Sequence, residues 1–434
     1  MTPAGPVQPV RLSSSMKQGL LVDTGTVFLY LFCGLLPFAA IAYFLATRKT
    51  FSLKFKGQTF HSTSGSYGWY AVVWTLWPAL AASLLAAVLS LTGVAHVPGS
   101  ALVAAALALA AGGLAVGVMK VNPGLRARNI VEGVIVKLLF AASLISIFTT
   151  IGIVLSVIFE AIQFFEIVNI WDFIFGTNWN PDEAVVHAAG AASESAEGLF
   201  GSVPLFAGTF MITAIAMLVA VPVGLFSAIC MAEYASPTFR KIAKPTLEIL
   251  AGIPTVVYGF FAAITVSPMI VQAAEAIGLQ ADYTNALSPG IVMGIMIIPL
   301  VSSLSDDIIT SVPNAMREGA LALGAYRSES IKNVVLPAAL PGIVSAFLLG
   351  VSRAVGETMI VVMAAGLRPN LTMNPLEGMT TVTVRIVDAL TGDQAFDSPE
   401  TLSAFGLGLV LLVFTLALNI VSLLVIRRFR QQYE

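Results

Sequence analysis

"REGALALGAYRSESIKNVVLPAAL", residues 317–340, is a charged, helix-forming segment. It lies between two apolar runs, "GIVMGIMIIPL" (290–300) and "GIVSAFLLGVSRAVGETMIVVMAAG" (342–366). Working outward from it, the same alternation of apolar run and short charged connection extends over most of the chain. Of 434 residues, 57% are hydrophobic and only 11% charged, and the mean hydropathy is +0.89; soluble domains average about 25% charged residues. The apolar runs reach roughly 20 residues, the length of helix that crosses a bilayer core of about 30 Å. The fold class is therefore an all-α, polytopic membrane protein.

Hydropathy and periodicity place nine helices at 21–46, 70–92, 101–119, 133–159, 205–232, 246–266, 289–305, 337–362 and 403–426. Lys and Arg orient them, because positive charge stays on the cytoplasmic side. "RRFR" (427–430) follows the last span and places the C-terminus in the cytoplasm. Arg317, Arg327 and Lys332 fall on the same side, as do Arg240, Lys241 and Lys244, then Lys120, Arg126 and Arg128, then Arg48, Lys49, Lys54 and Lys56. No Lys or Arg lies between Lys137 and Arg240, a stretch that holds the acidic loop "DEAVVHAAGAASESAEG" (182–198), nor between Lys244 and Arg317. Nine spans then leave the N-terminus, with Arg11 and Lys17, extracytoplasmic. The first span starts about twenty residues in and lacks a small-residue cleavage site, so it reads as a retained helix.

Several function classes are not supported. A net charge of −2 gives no footprint for nucleic acid. Cys33 and Cys230 sit in apolar spans without a spaced partner and read as small buried hydrophobes. His61, His96 and His187 have no metal-ligand spacing. No GxxxxGK[ST] loop, nucleophile or metal set reads as catalytic, no cofactor is implied, and "GVSRA" (350–354) misses the nucleophile-elbow pattern at its last position.

The chain divides near residue 130 into an Ala/Leu-rich extension (1–130) with three spans and a six-span domain (131–434). Aromatic residues crowd "YGWYAVVWTLWPAL" (67–80) and "FFEIVNIWDFIFGTNWNP" (164–181). They read as interfacial belts, the second including a short surface helix.

Between Asp306 and Val335 the chain stays outside the membrane. Ala315, Met316, Ala320, Leu321, Leu323 and Ala325 favour a helix with a partial apolar face, Gly324 breaks it, and Pro337 opens the next span. Two short helices meeting at a glycine, with no catalytic residue, suit docking in a partner's groove. Asp306 and Asp307 read as solvated residues capping the helix that follows.

In the eighth span, "SRAVGET" places Arg353 and Glu357 four residues apart, on one helix face and a third to halfway into the membrane. Intramembrane charges cost roughly 2.5–3.5 kcal/mol each on insertion scales and persist where they face protein or a water-filled path. The planar donors of arginine fit a tetrahedral oxyanion such as phosphate or sulfate. A purely structural Arg–Glu pair is the alternative. Gly252, Pro254 and Gly259 are helix-break candidates that either open backbone along a cavity or permit close packing. Asn370-Leu-Thr372 matches a glycosylation sequon that carries little weight here.

The spacing Glu318-Gly319-Ala320, three residues, Gly324, nine residues, Val334-Val-Leu336-Pro337 resembles the EAA loop of ABC importer permeases, with Gly319 in place of an alanine and Val334 in place of an isoleucine. "AGIPTVVYGF" (251–260) and "RAVGETM" (353–359) resemble the phosphate-specific Pst branch. The tryptophan-rich loop and "TMNPLEGMTTVTVRIVDALTGDQAF" (372–396) make the chain PstC-like more than PstA-like.

The resemblance implies a permease subunit of a phosphate importer in the bacterial inner membrane. It also implies that Glu318, Gly319, Ala320, Gly324, Leu336 and Pro337 couple it to an ATPase, and that Arg353 and Glu357 line the phosphate path. The partners implied are a homologous PstA-like permease, two ATPase subunits that hydrolyse the ATP, and an extracytoplasmic phosphate-binding protein docking on loops 160–203 and 367–402. An ion-coupled anion carrier or a non-transporting sensor or scaffold remain the alternatives.

Overall fold

Strings of apolar residues without interior breaks leave each backbone amide to be satisfied within its own segment, and in a bilayer only helices do this for single spans. A computed structural model describes residues 14–56, 58–91, 98–181, 199–391 and 398–430. The acidic loop 182–198, His96 and Arg11 lie outside the described residues. Among those described, nine helices are long and apolar enough to cross a membrane, and extended pairing is confined to one antiparallel bridge between Trp179 and Phe200. The chain forms two units, Met1–Thr150 and Ile151–Glu434, which divide within the fourth helix.

The first unit contains α1 (Ser14–Phe55), α2 (Ser64–Leu91), α3 (Gly99–Met119) and the start of α4 (Ala127–Ile167). Its packing follows from small residues. Ala106, Ala110, Gly113 and Gly117 make the buried stripe of α3. At Gly113 an added Cβ would stand 2.1 Å from the Trp74 carbonyl oxygen, so only glycine allows α2 and α3 to approach this closely. The Lys49 ammonium donates to the Val118 carbonyl at 2.7 Å and so caps α3. Lys120 stands over the Trp74 ring, 4.0 Å from its centroid.

The second unit is centred on α9 (Leu287–Ser311), whose spanning window is 61% buried where that of α4 is 0% buried within the chain. It packs on α6 (Val203–Ile229), with Ile212, Met293 and Ile297 in a core that also takes Ile360 from α12 (Met359–Ala364). A second core near α5 (Ile170–Phe175) is aromatic, with Phe164, Phe173, Trp179 and Phe200 in edge-to-face contacts.

Two span boundaries differ from the sequence reading. The apolar run 246–266 is not one helix. An amphipathic α7 (Pro237–Ala251) starts at Ser236, whose hydroxyl accepts from the Phe239 amide, and stops at Gly252; α8 then runs Thr255–Ala276. The run 337–362 is also two helices: α11 spans Arg327–Val355 and α12 begins at Met359. The three remaining helices are α10 (Asn314–Ala322), in the connection after α9, α13 (Val382–Thr391) and α14 (Pro399–Arg430). Cys33 and Cys230 are exposed on the isolated chain and not buried, as befits residues on helix faces that meet lipid or another chain.

Candidate coupling site and membrane path

α10 follows α9 after a break at Val312 and Pro313, and both residues hold extended backbone there. Glu318 and Gly319 are exposed on α10 and Ala320 is half-buried. Leu321, Leu323 and Tyr326 add exposed apolar surface, with Leu323 92% exposed. Gly324 turns the chain at φ +89°, a left-handed backbone that a Cβ disfavours, although no neighbour crowds the position. Space is also open around Gly319.

Beyond the turn the second helix is not a separate short one. It starts at Arg327, where the Glu329 carboxylate accepts from the Tyr326 amide at 2.9 Å, and continues into the span. A π-type turn, Ile331–Val335, intervenes, in which the Leu336 amide reaches back to the Ile331 carbonyl. Pro337, which carries no amide hydrogen, follows directly. Leu336 and Pro337 thus lie within one continuous helix, Arg327–Val355, and Pro337 does not begin it.

At the base of this segment is an ion-pair cluster that the sequence reading missed. Arg317 reaches the Glu233 carboxylate at 2.9 Å, the Ile309 carbonyl at 2.6 Å and the Val312 carbonyl. Glu233, only 8% exposed, lies in the π-type turn Cys230–Tyr234 that ends the α6 span. Arg327 donates to the Glu233 carbonyl and its guanidinium lies 5.2 Å from the Tyr234 ring centroid. One arginine therefore closes the open carbonyls of α9 and ties them to α6 and α10.

Asp306 and Asp307 are not a cap. Both lie inside α9, and Asp306 is fully buried. Its carboxylate pairs with Arg240 at 2.8 Å and Lys244 at 3.3 Å, while exposed Asp307 holds Lys244 at 2.6 Å. The hydrogen bond to Asp307, then that to Asp306, holds the Lys244 ammonium above the usual lysine range against the opposing effect of burial. Sequence distance hid these contacts. The basic run "RKIAK" (240–244) on an amphipathic helix was the available signal.

At the far end of α11, Arg353 and Glu357 do not share a helix face, and no ion pair joins them among the described residues. Helix α11 ends at Val355 with Gly356 as its cap, so Arg353 lies in the last turn and not a third to halfway along. Its side chain is exposed. Glu357, 9% exposed, turns toward α12 and accepts from the Met359 amide at 3.1 Å and the Ile360 amide at 3.4 Å. A cation at a helix C-terminus and an anion at an N-terminus are each favoured by the helix dipole, which explains how both charges persist apart. The Thr383 hydroxyl donates to the Glu357 carbonyl at 2.9 Å and brings α13 to the break. On α13, Arg385 pairs with Asp388 at 2.8 Å.

Gly252 and Pro254 form the α7–α8 break, across which the Tyr258 hydroxyl donates to the Leu250 carbonyl at 2.9 Å. Gly259 is a packing position, since a Cβ there would stand 3.0 Å from the Met359 carbonyl oxygen. No group of three or more His, Cys, Asp or Glu side chains that could hold a metal ion occurs among the described residues.

Residues 220–432 match the family of binding-protein-dependent transport system inner membrane components, and residues 33–97 match a phosphate ATP-binding cassette transporter family. The chain is 33% identical over 277 residues to a probable ABC transporter permease, YqgH, of Bacillus subtilis, covering 63% of this chain and 84% of that one. It is 34% identical over 284 residues to the phosphate transport system permease PstC 1 of Mycobacterium tuberculosis, covering 59% and 81%. Among solved structures, a bacterial alginate ABC transporter bound to its periplasmic protein aligns at 16% identity with a TM-score of 0.45, covering 68% of this chain and 95% of that one.

Proposed function

Because the chain belongs to the binding-protein-dependent transport system inner membrane components, multi-pass proteins of the inner membrane, we propose that it is a permease subunit of an ATP-driven phosphate importer. The observation that carries this reading is the exposed apolar α10 turned at Gly324 and tied at its base by Arg317 to α6 and α9. A separate ATPase subunit binds α10 through Leu321, Leu323 and the Glu318–Ala320 turn. When two such ATPases close on ATP, α10 moves, and Arg317 passes that motion to the ends of the α6 and α9 spans. Leu336 and Pro337 carry it into α11 along one continuous helix.

A homologous, PstA-like permease completes the path, and an extracytoplasmic phosphate-binding protein delivers the anion to the opposite end. There the exposed Arg353 guanidinium offers a planar fork of donors to a phosphate oxyanion, and Glu357, held by two amides, fixes the break beside it. The six spans from residue 131 onward make the permease domain, and residues 1–130 are an added membrane unit. The basic loops and the C-terminus face the cytoplasm and the N-terminus the other side.

The test is co-purification from a mild detergent followed by radiolabelled phosphate uptake in the reconstituted complex. Recovery of an ATPase and a second permease, with ATP-dependent uptake, supports the reading. A chain that takes up phosphate in vesicles without any ATPase is an ion-coupled carrier instead.

A further inference from the structure

The first unit holds a feature that the transport reading leaves unused. A groove of about 410 Å3 opens between α2 and α4, inside the range of about 300–1,000 Å3 typical of small-ligand sites. Trp74, Trp77 and Pro78 form one wall, Val134 and Leu138 the other, and Lys137 is part of the lining. Outside the groove lining, the buried Tyr67 of α2 donates to the Leu125 carbonyl at 2.6 Å and so ties α2 to the connection that precedes α4.

Charge distinguishes this groove from an ordinary lipid-facing crease. Arg128, at the start of α4, is neutralised by Glu132 at 2.6 Å. Lys137 has no carboxylate partner among the described residues, and it is exposed about 15 Å along the helix from Ala127 at about 1.5 Å per residue. Lys120 is likewise without a carboxylate and rests on the face of Trp74, whose ring also lines the groove. Exposed Trp69 lies near the start of α2, where an interfacial tryptophan is favoured, and exposed Trp77 lies about 12 Å further along the helix. Two long cationic side chains bordering an apolar slot match an anionic headgroup joined to acyl chains.

We propose that the α2–α4 groove is a binding site for an anionic phospholipid, whose phosphodiester meets Lys120 and Lys137 and whose acyl chain lies against Trp77, Pro78 and Leu138. The added unit thereby takes up a specific lipid from the leaflet on the side of the 120–128 loop.

Brominated acyl chains quench tryptophan on contact, so the lipid can be read directly. The purified full-length chain in a non-ionic detergent is titrated with dibrominated phosphatidylglycerol and, separately, dibrominated phosphatidylcholine. Quenching by phosphatidylglycerol at concentrations on the order of tenfold lower is expected from two surface lysines. The Lys120→Gln/Lys137→Gln chain loses that preference, and Ala141→Phe, which fills the groove, loses the saturable quenching by both lipids. Equal quenching of the wild type by the two lipids, or a preference that survives in the double variant, overturns the proposal. So does disappearance of the quenching when a second permease is bound, which makes the groove a protein interface. None of these readouts depends on transport.

Discussion

The Arg317 guanidinium and the Glu233 carboxylate, 84 residues apart in sequence, meet at 2.9 Å, and through that pair α10 is joined to the end of the α6 span. The two side chains are 17% and 8% exposed, so the pair is mostly withdrawn from water.

Removing one member of such a pair strands the other. Arg317→Met is expected to lower stability by about 3–5 kcal/mol, whereas Glu233→Gln/Arg317→Met recovers part of the loss. Thermal unfolding of the detergent-solubilised chains checks this. Uptake is expected to fail in both variants, because the double substitution restores packing without the link to α10.

Gly324→Ala places a Cβ at φ +89°, which costs about 1–2 kcal/mol and distorts the turn. ATPase co-purification should fall sharply. Gly319→Ala is the contrasting case: the site is open, and alanine stabilises an exposed helix position by about 1 kcal/mol, with uptake retained.

Arg353→Gln removes a charged donor to the anion. A charged hydrogen bond contributes about 1.5–3 kcal/mol, so the phosphate concentration for half-maximal uptake should rise by about ten- to a hundredfold. Co-purification of partners stays intact. Unchanged uptake would falsify the role given to Arg353.

Lys244 has its pKa raised first by its hydrogen bond to Asp307. Its contribution to stability is complete below the ordinary lysine value and is lost as pH rises through the higher folded value. Melting temperature should therefore decline with alkaline pH more steeply in the wild type than in Lys244→Met, in which nothing titrates at that position. Parallel curves would mean that the Lys244–Asp307 contact adds no stability.

The spans and the α10–Gly324 turn were legible because hydropathy, the positive-inside bias and glycine spacing are local signals. The helix end at Val355 was not, since the apolar runs on either side of "SRAVGET" together have the length of one span and the two charges between them read as intramembrane residues. Its sign was Gly356-Glu357 itself: a cap residue followed by a carboxylate able to take the next amides. Likewise the apolar stretch across Gly252–Pro254 masked α7, although Ser236-Pro237 is a helix-start signature. Asp306 looked solvated because its partners, Arg240 and Lys244, belong to another helix, and only packing brings them together.

The π-type turn at Ile331–Val335 sets an angular phase. Each residue inserted into or deleted from a helix rotates everything beyond it by about 100° and shifts it by about 1.5 Å. Deleting one residue there would restore an ordinary helical turn and leave Pro337 without the looser one before it. Because the wide turn absorbs one extra residue, that deletion would leave Arg353 close to its present bearing relative to Glu318, whereas deleting one residue from the regular helix beyond it would swing Arg353 by about 100°. The helix therefore works as a crankshaft with one spare link: a residue removed within 331–335 keeps its timing, and a residue removed from 338–352 loses it.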